Sequence, residues 1–349
     1  YIKDTSLDFC KKQNLKSAMV KSIGLLQNSS YDEISQVIND SLKLGMDNDA
    51  GYDWKKDFEE RFKPKFRNPV STGWPLIDNI SKGGLGQKEL GVVIAPTGAG
   101  KSMVLVHLGT QALKEGKTVV HYTLELQDTV IASRYDSCLT KVPLGSLMSF
   151  KEKIYEEVQE IEGCLIVKEY PTKSATTQTI KTHLEKLKMR NINVDMIIVD
   201  YADLLRPVRY QKEKRNELEG IYEELRGLAS EHEVPIWTAS QTNRSGLNAE
   251  VITMEAISEA FNKCFVSDFI FTVSRTIDDK AANGGRVFVA KNRNGPDGLV
   301  FPMFMDTSNV SIKVLQPSEE DEVVEVSAKK QKQSLAEKYK NFKKNQGGS

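Results

Sequence analysis

The octapeptide Ala95-Pro96-Thr97-Gly98-Ala99-Gly100-Lys101-Ser102 follows an apolar run and opens a segment of helical periodicity. That context makes it a P-loop. Its glycines let the backbone fold so that successive N–H groups point inward, and the N-terminus of the following helix adds positive potential where phosphate oxygens sit. Lys101 is placed to reach the β- and γ-phosphates of a nucleotide, and Ser102 to ligate Mg²⁺. The first position is Ala95 rather than glycine, a small departure because the geometry depends more on Gly100-Lys101-Ser102.

A P-loop calls for a carboxylate at the end of another strand, and Met196-Ile197-Ile198-Val199-Asp200 is an apolar run that ends in one. Asp200 is the Walker B candidate, holding Mg²⁺ or a ligating water. Hydrolysis also needs a base or polariser for the attacking water. Glu125 comes just after the run Thr118 to Thr123, which is expected to lie beside the P-loop strand; its other reading is an exposed acid in a strand-to-helix loop. A γ-phosphate sensor is expected at the tip of a neighbouring strand, where Ser240 and Gln241 follow Val234 to Ala239, and position points to Gln241.

Positioning these groups takes a parallel sheet with crossover helices. From about Thr72 the chain reads that way, with short apolar runs alternating with helical segments. Strands are predicted at Leu90 to Ala95, Thr118 to Thr123, Cys164 to Lys168, Val194 to Asp200, Val234 to Ala239 and Phe269 to Val273. Helices are predicted at Ser102 to Glu115, Thr129 to Thr140, Thr177 to Lys188 and Glu213 to Ser230. Arg286 to Ala290 and Leu299 to Met303 read as a hairpin, with Val310 to Val314 as a further edge strand, so the sheet is expected to end antiparallel.

Around this α/β domain, placed at 72–316, the reading sets a helical N-terminal segment at 1–60, a basic, proline-containing linker at 61–71 and a charged flexible tail at 317–349. In the N-terminal segment Leu15, Met19, Ile23 and Leu26 repeat at helical spacing, as do Ile34, Val37, Ile38 and Leu42, with Ser30 and Glu33 as a capping box for the second helix. Two short amphipathic helices cannot bury both stripes alone, so they are expected to dock on the main domain, on a preceding domain or on another subunit. The chain opens Tyr1-Ile2-Lys3 with no initiator methionine and no signal-peptide core, which reads as a truncated or incompletely covered chain.

Composition excludes several classes. Hydrophobic residues are 39% and charged residues 28% of the 349, the mixture of a globular protein, and the longest apolar runs fall far short of the roughly 18 residues of a membrane span. Cys10, Cys138, Cys164 and Cys264 stand singly, without zinc-site spacing or a disulfide framework, and are expected as buried thiols. His107, His121, His183 and His232 have no ligand-like spacing and are expected in packing or surface roles. The 48 basic and 48 acidic side chains cancel, but that total averages separate surfaces. Arg206, Arg209, Lys212, Lys214 and Arg215, after the Walker B run, form a local basic cluster suited to nucleic-acid phosphates, or equally to a solvated helix start. Asn243 and Arg244 open a second candidate loop.

In order along the chain these residues resemble the C-terminal ATPase domain of DnaB-type hexameric replicative helicases, of a phage kind, on the RecA-like fold. The resemblance covers about residues 70 to 315. It rests on Thr72-Gly73 with Asp78 ahead of Gly83-Gly84-Leu85, the P-loop, Thr123-Leu124-Glu125, Val199-Asp200-Tyr201, Ser240-Gln241-Thr242-Asn243-Arg244 and Ala290-Lys291-Asn292-Arg293-Asn294-Gly295. It implies an ATP- and Mg²⁺-dependent helicase in which Glu125 activates water, Gln241 senses the γ-phosphate, and Lys291 and Arg293 reach a neighbouring subunit's nucleotide; a basic hairpin that meets only solvent or DNA phosphate is the other reading of that pair. It further implies single-stranded DNA and a homo-hexameric ring as partners, with primase, a loader or a single-strand-binding protein as further ones, and a cytoplasmic setting. Ser258-Glu259-Ala260-Phe261-Asn262-Lys263 stands where bacterial members carry an Arg-Glu-Ser-Gly run, so loop contacts there do not transfer. A RecA-like recombinase or nucleotide-gated filament scaffold is the competing reading, and a packaging-type motor a more distant one.

Overall fold

The computed structural model describes residues 2–26, 33–34, 37–38, 41, 53–56, 58–59, 67–210, 212–242, 251–252 and 265–317. The chain divides into two compact units, Tyr1–Phe66 and Arg67–Ser349. In the first, helix α1 spans Ile2–Leu26. Met19, Ile23 and Leu26 of its predicted apolar stripe are exposed, whereas Ala18 and Ser22 are buried. Glu33, Ile34, Val37, Ile38 and Ser41 are helical, as predicted for a second helix, while Ser30 lies outside the described residues.

The second unit is built on a nine-stranded sheet, counted among the described residues, of order β3-β2-β4-β5-β1-β6-β7-β8-β9. The strands are β1 (Leu90–Ala95), β2 (Thr118–Thr123), β3 (Cys164–Glu169), β4 (Met196–Asp200), β5 (Ile236–Gln241), β6 (Phe269–Ser274), β7 (Gly284–Asn292), β8 (Val300–Asp306) and β9 (Ser311–Val314). Strands β1 to β6 are parallel, and β6 to β9 pair antiparallel, as the hairpin pattern predicts. The helices are α2 (Pro75–Ser81), α3 (Lys101–Lys114), α4 (Asp128–Thr140), α5 (Lys151–Gln159), α6 (Thr177–Met189), α7 (Lys214–His232) and α8 (Ile277–Ala281).

Alternation along β1 divides the core between two faces. Val93 and Ala95 pack with Val104, Leu105 and Leu108 of α3 and Ile131 of α4. Leu90, Val92 and Ile94 pack with Ile180 and Leu184 of α6 and Ile221 and Leu225 of α7. Helices thus cover both faces, which is why the central strands read as continuous apolar runs. Strand β5 starts two residues later than predicted, because Pro235 has no N–H to give and the Val234 N–H is used to close α7 on the Ala229 carbonyl. It also continues to Gln241, which therefore sits on the strand itself.

Two expectations need correction. From Arg67 onward the predicted linker belongs to the second unit: Val70 and Leu85 form a backbone bridge, and the Arg67 guanidinium bonds Glu89 and the carbonyls of Ser81 and Gly84. Arginine and proline mark a linker only if nothing pairs with them, and Glu89 lies 22 residues away. Cys138 is buried as expected, but Cys164 is exposed at the start of the edge strand β3.

Candidate functional site

The P-loop leaves the end of β1 and enters α3, whose N-cap is Gly100. Gly98 and Gly100 have φ of +74° and +100°, in the left-handed region that costs other residues strain, and a Cβ at Gly100 would stand 2.7 Å from the Met305 sulfur. The loop therefore depends on glycine at these positions. Lys101 is half-buried, its ammonium 5.5 Å from the centre of the Tyr201 ring. Burial holds that ammonium below its ordinary pKa, while the carboxylates of Glu125, Asp200 and Asp203 pull it back up.

Strand β4 delivers Asp200 to the same edge of the sheet, fully buried. Among the described residues neither carboxylate oxygen has a hydrogen-bond partner. Burial pushes the group up to about 6, with the charge of Glu125 adding; Ser102, Arg134 and Lys101 act against the rise. The Ser102 hydroxyl favours the ionised form without meeting hydrogen-bond geometry. Buried polar atoms are ordinarily satisfied. Two orphan carboxylate oxygens near a hydroxyl are hard oxygen donors that fit a divalent cation such as Mg²⁺.

Strand β2 does not lie beside the P-loop strand, contrary to expectation: β5 and β4 stand between them. Order along the chain does not set order in a sheet, because α3 crosses β5 and β4 before the chain re-enters at β2. Glu125 nevertheless reaches the site. The Leu124 N–H donates to the Asp200 carbonyl at 2.9 Å, which turns the segment after β2 inward, and the Glu125 carboxylate is the foremost charge acting on Lys101. On β5, which does adjoin β1, Gln241 stands opposite Ala95, and its side-chain amide donates to the Thr97 hydroxyl at 2.5 Å. Lys101, Ser102, Glu125, Asp200 and Gln241 thus converge at the carboxyl ends of four strands, where ligands bind in open α/β sheets.

Lys291 and Arg293 lie at the opposite edge. Lys291 pairs with Ile270 and Asn292 with Phe269 at the start of β6, and Phe269 is in turn level with Gly91 at the start of β1. A strand of this length separates them from the P-loop of their own chain by about 20 Å. The Lys291 ammonium donates to the Phe265 carbonyl and sits 4.7 Å from the Phe265 ring centre, and Arg293 pairs with Asp268. Of the basic cluster, Arg206, Arg209, Lys212 and Arg215 are exposed beyond β4, with Tyr210 exposed among them, while Lys214 opens α7. Asn243, Arg244 and Ser258 to Lys263 lie outside the described residues.

Three residues near the site were missed. Arg134 of α4 acts electrostatically on Asp200 and Glu125, and Asp203 acts on Lys101. The Lys280 ammonium of α8 lies 3.9 Å from where a Cβ on Gly98 would stand. Nothing in the sequence marks Arg134 or Lys280, which enter from a helix face and from beyond β6. Asp203, three residues after Asp200, had a signal in its spacing. Among the described residues no helix is long and apolar enough to cross a membrane.

Comparison with known proteins agrees with this arrangement. The model of the DnaB-like helicase C terminal domain family matches residues 69–310. The DnaB-like replicative helicase of Enterobacteria phage T4 is 29% identical over 323 residues, which cover 88% of this chain and 68% of that protein. The replicative DNA helicase DnaB of Mycoplasma genitalium is 25% identical over 275 residues, covering 72% of this chain and 58% of the relative. In fold, the chain is similar to a solved DnaB-like replicative helicase described with its interactions with primase, with a TM-score of 0.69 at 15% identity, covering 90% of this chain and 78% of that one. With its P-loop, the buried Asp200 at the end of β4 and a RecA-like sheet inside the matched span, the chain belongs to the DnaB-like helicase C terminal domain family, the ATP-hydrolysing part of replicative DNA helicases.

Proposed function

We propose that this chain is the motor of a ring-shaped replicative helicase that hydrolyses ATP, moves along single-stranded DNA and excludes the other strand. The observation that carries the reading is the convergence of Lys101, Ser102, Glu125, Asp200 and Gln241 on one edge of the sheet, with Arg293 at the other. Lys101 and the P-loop amides of 95–102 hold the phosphates. Ser102 and Asp200 would hold Mg²⁺, which when bound would supply charge neutralisation at the phosphates. Glu125 orients and deprotonates the attacking water, and Gln241 reads the γ-phosphate.

Lys291 and Arg293 act in trans. A strand's length lies between them and the P-loop of their own chain, so a role at a nucleotide is a role at a neighbour's. A guanidinium arriving from another subunit neutralises the transferring phosphoryl group and ties hydrolysis to subunit movement. Head-to-tail contacts of this kind close into a ring where the rotation between subunits closes, here a hexamer. Arg206, Arg209, Lys212, Lys214 and Arg215, with Asn243 and Arg244, line the channel and hold DNA by its phosphates. Segment 1–60 docks on a neighbouring protomer, and residues 61–66 connect it to an ATPase domain that begins at Arg67. Primase, a loader or a single-strand-binding protein would join the ring in the cytoplasm of a bacterial or phage-infected cell.

The test is unwinding of a forked duplex by the purified protein, together with microscopy of the assembly formed with a non-hydrolysable ATP analogue and oligo(dT). Closed rings and strand separation are expected. Open filaments without unwinding would sink the reading in favour of a recombinase-like scaffold.

A further inference from the structure

The Asp268 carboxylate is a hub at the sheet edge opposite the P-loop. The residue is buried, 4% exposed, and immediately precedes β6. Its Oδ2 accepts the Leu90 N–H at 2.9 Å, and its own N–H donates to the Leu90 carbonyl at 2.8 Å, so it is clamped to the first residue of β1. Arg226 of α7 reaches the same carboxylate through Nη2 at 3.0 Å and Nε at 2.9 Å. Arg293 reaches it through Nη1 at 2.9 Å, and the Arg293 N–H donates to the Asp268 carbonyl at 3.0 Å. The next residue, Asn294, is held through its side-chain amide by Glu89, again at the head of β1.

Arg226 and the Leu90 N–H hold the carboxylate in place through both oxygens, and Arg293 takes up remaining acceptor capacity on Oδ1. Arg293 is fixed there by side chain and backbone alike, while 47% of its side chain stays exposed. One side of the guanidinium is anchored and the rest faces outward, as pre-organised transition-state stabilisation requires.

We infer that Asp268 is the positioning residue for Arg293: it fixes the guanidinium at the head of β1, presented outward to the neighbouring subunit's nucleotide. Through Leu90 it also joins Arg293 to the strand whose other end carries the chain's own P-loop. The inference rests on the trans role of Arg293 proposed above.

The test uses the full chain, ATP and oligo(dT). Asp268→Asn sets an amide N–H₂ against a guanidinium or against the Leu90 N–H. Its kcat for ATP hydrolysis is expected to fall about 10- to 100-fold with KM for ATP changed less than about threefold, because its own P-loop is untouched; an unchanged kcat overturns the inference. Mixing separates positioning from structure. In a 1:1 mixture with Lys101→Ala, whose P-loop is dead but whose Arg293 is intact, about one interface in four pairs a working P-loop with a well-held arginine. Activity should then rise well above that of either variant alone. No rise means that Asp268 serves only its own chain, which overturns the inference. Arg293→Ala mixed with Lys101→Ala is the reference. Recovery there without recovery for Asp268→Asn removes the Asp268 inference alone, whereas recovery in neither removes the trans role of Arg293 as well. Asp268→Glu keeps the charge but displaces it by one methylene, and the same recovery is expected of it should the asparagine variant fold poorly.

Discussion

Gln241 is hydrogen-bonded to Thr97, so the tip of β5 is tied to the P-loop. The amide that would read the γ-phosphate thus begins on the loop that would cradle it. Gln241→Ala is expected to lower kcat for ATP hydrolysis about 100-fold while changing nucleotide affinity less than about threefold, since the backbone cradle and Lys101 remain. Equal losses in binding and turnover would show that Gln241 serves the loop rather than the reaction.

Asp200 is a buried carboxylate whose oxygens have no hydrogen-bond partner among the described residues, pushed up to about 6 from 3.8 chiefly by burial. The folded state therefore holds its proton more tightly than the unfolded state, and stability falls as pH rises from about 3.8 to about 6, with the full cost present above that. At pH 8 without Mg²⁺ this amounts to about 3 kcal/mol. Asp200→Asn should accordingly melt several degrees above the wild type in EDTA at pH 8 while losing hydrolysis. A lower melting temperature there would mean that the carboxylate is satisfied in solution.

His107 and His121 are pushed down to about 3, again first by burial, with the charges of Lys141 and Arg134 respectively adding. His107 stacks on Trp74, and His121 bonds the Tyr135 hydroxyl. Below their ordinary 6.5 the unfolded chain takes up protons that the folded chain refuses, so stability is lost as pH falls from 6.5 toward 3. Each contributes about 2 kcal/mol of that loss at pH 5. Thermal melts from pH 7.5 to 5 should show it, and His107→Phe, which keeps a ring on Trp74, should flatten the profile. Parallel profiles for the two proteins would contradict the assignment.

Arg206 and Arg209 are exposed beyond β4. Replacing either with alanine should weaken oligo(dT) binding at every sequence tested and reduce the slope of log affinity against log salt by about 1. ATP hydrolysis without DNA should be unchanged. A salt slope equal to that of the wild type would remove the residue from the DNA contact.

Much of this protein is legible in one dimension. β1 matches its apolar run because a strand covered on both faces carries apolar side chains on both, β2 matches although His121 is buried within it against the Tyr135 hydroxyl, and the P-loop is readable because its glycines, lysine and serine act through neighbouring backbone. Asp200 has a local signature, an apolar run ending in acid, and the structure sets its charge close enough to act on Lys101. The boundary at Arg67 has none, since its partner Glu89 lies across the fold. Arg134 and Lys280 had no local mark at all.

The sequence by itself determined which groups are available and which strand each one ends, because periodicity and turn chemistry act over a few residues. Only the tertiary structure decided who stands beside whom. It put β4 and β5 between β1 and β2 and still turned Glu125 toward Lys101. It also set Arg293 a strand's length from its own P-loop and gave it to Asp268. Sheet order and burial follow from how crossover helices cover both faces, a condition on the whole chain that no local run of residues carries.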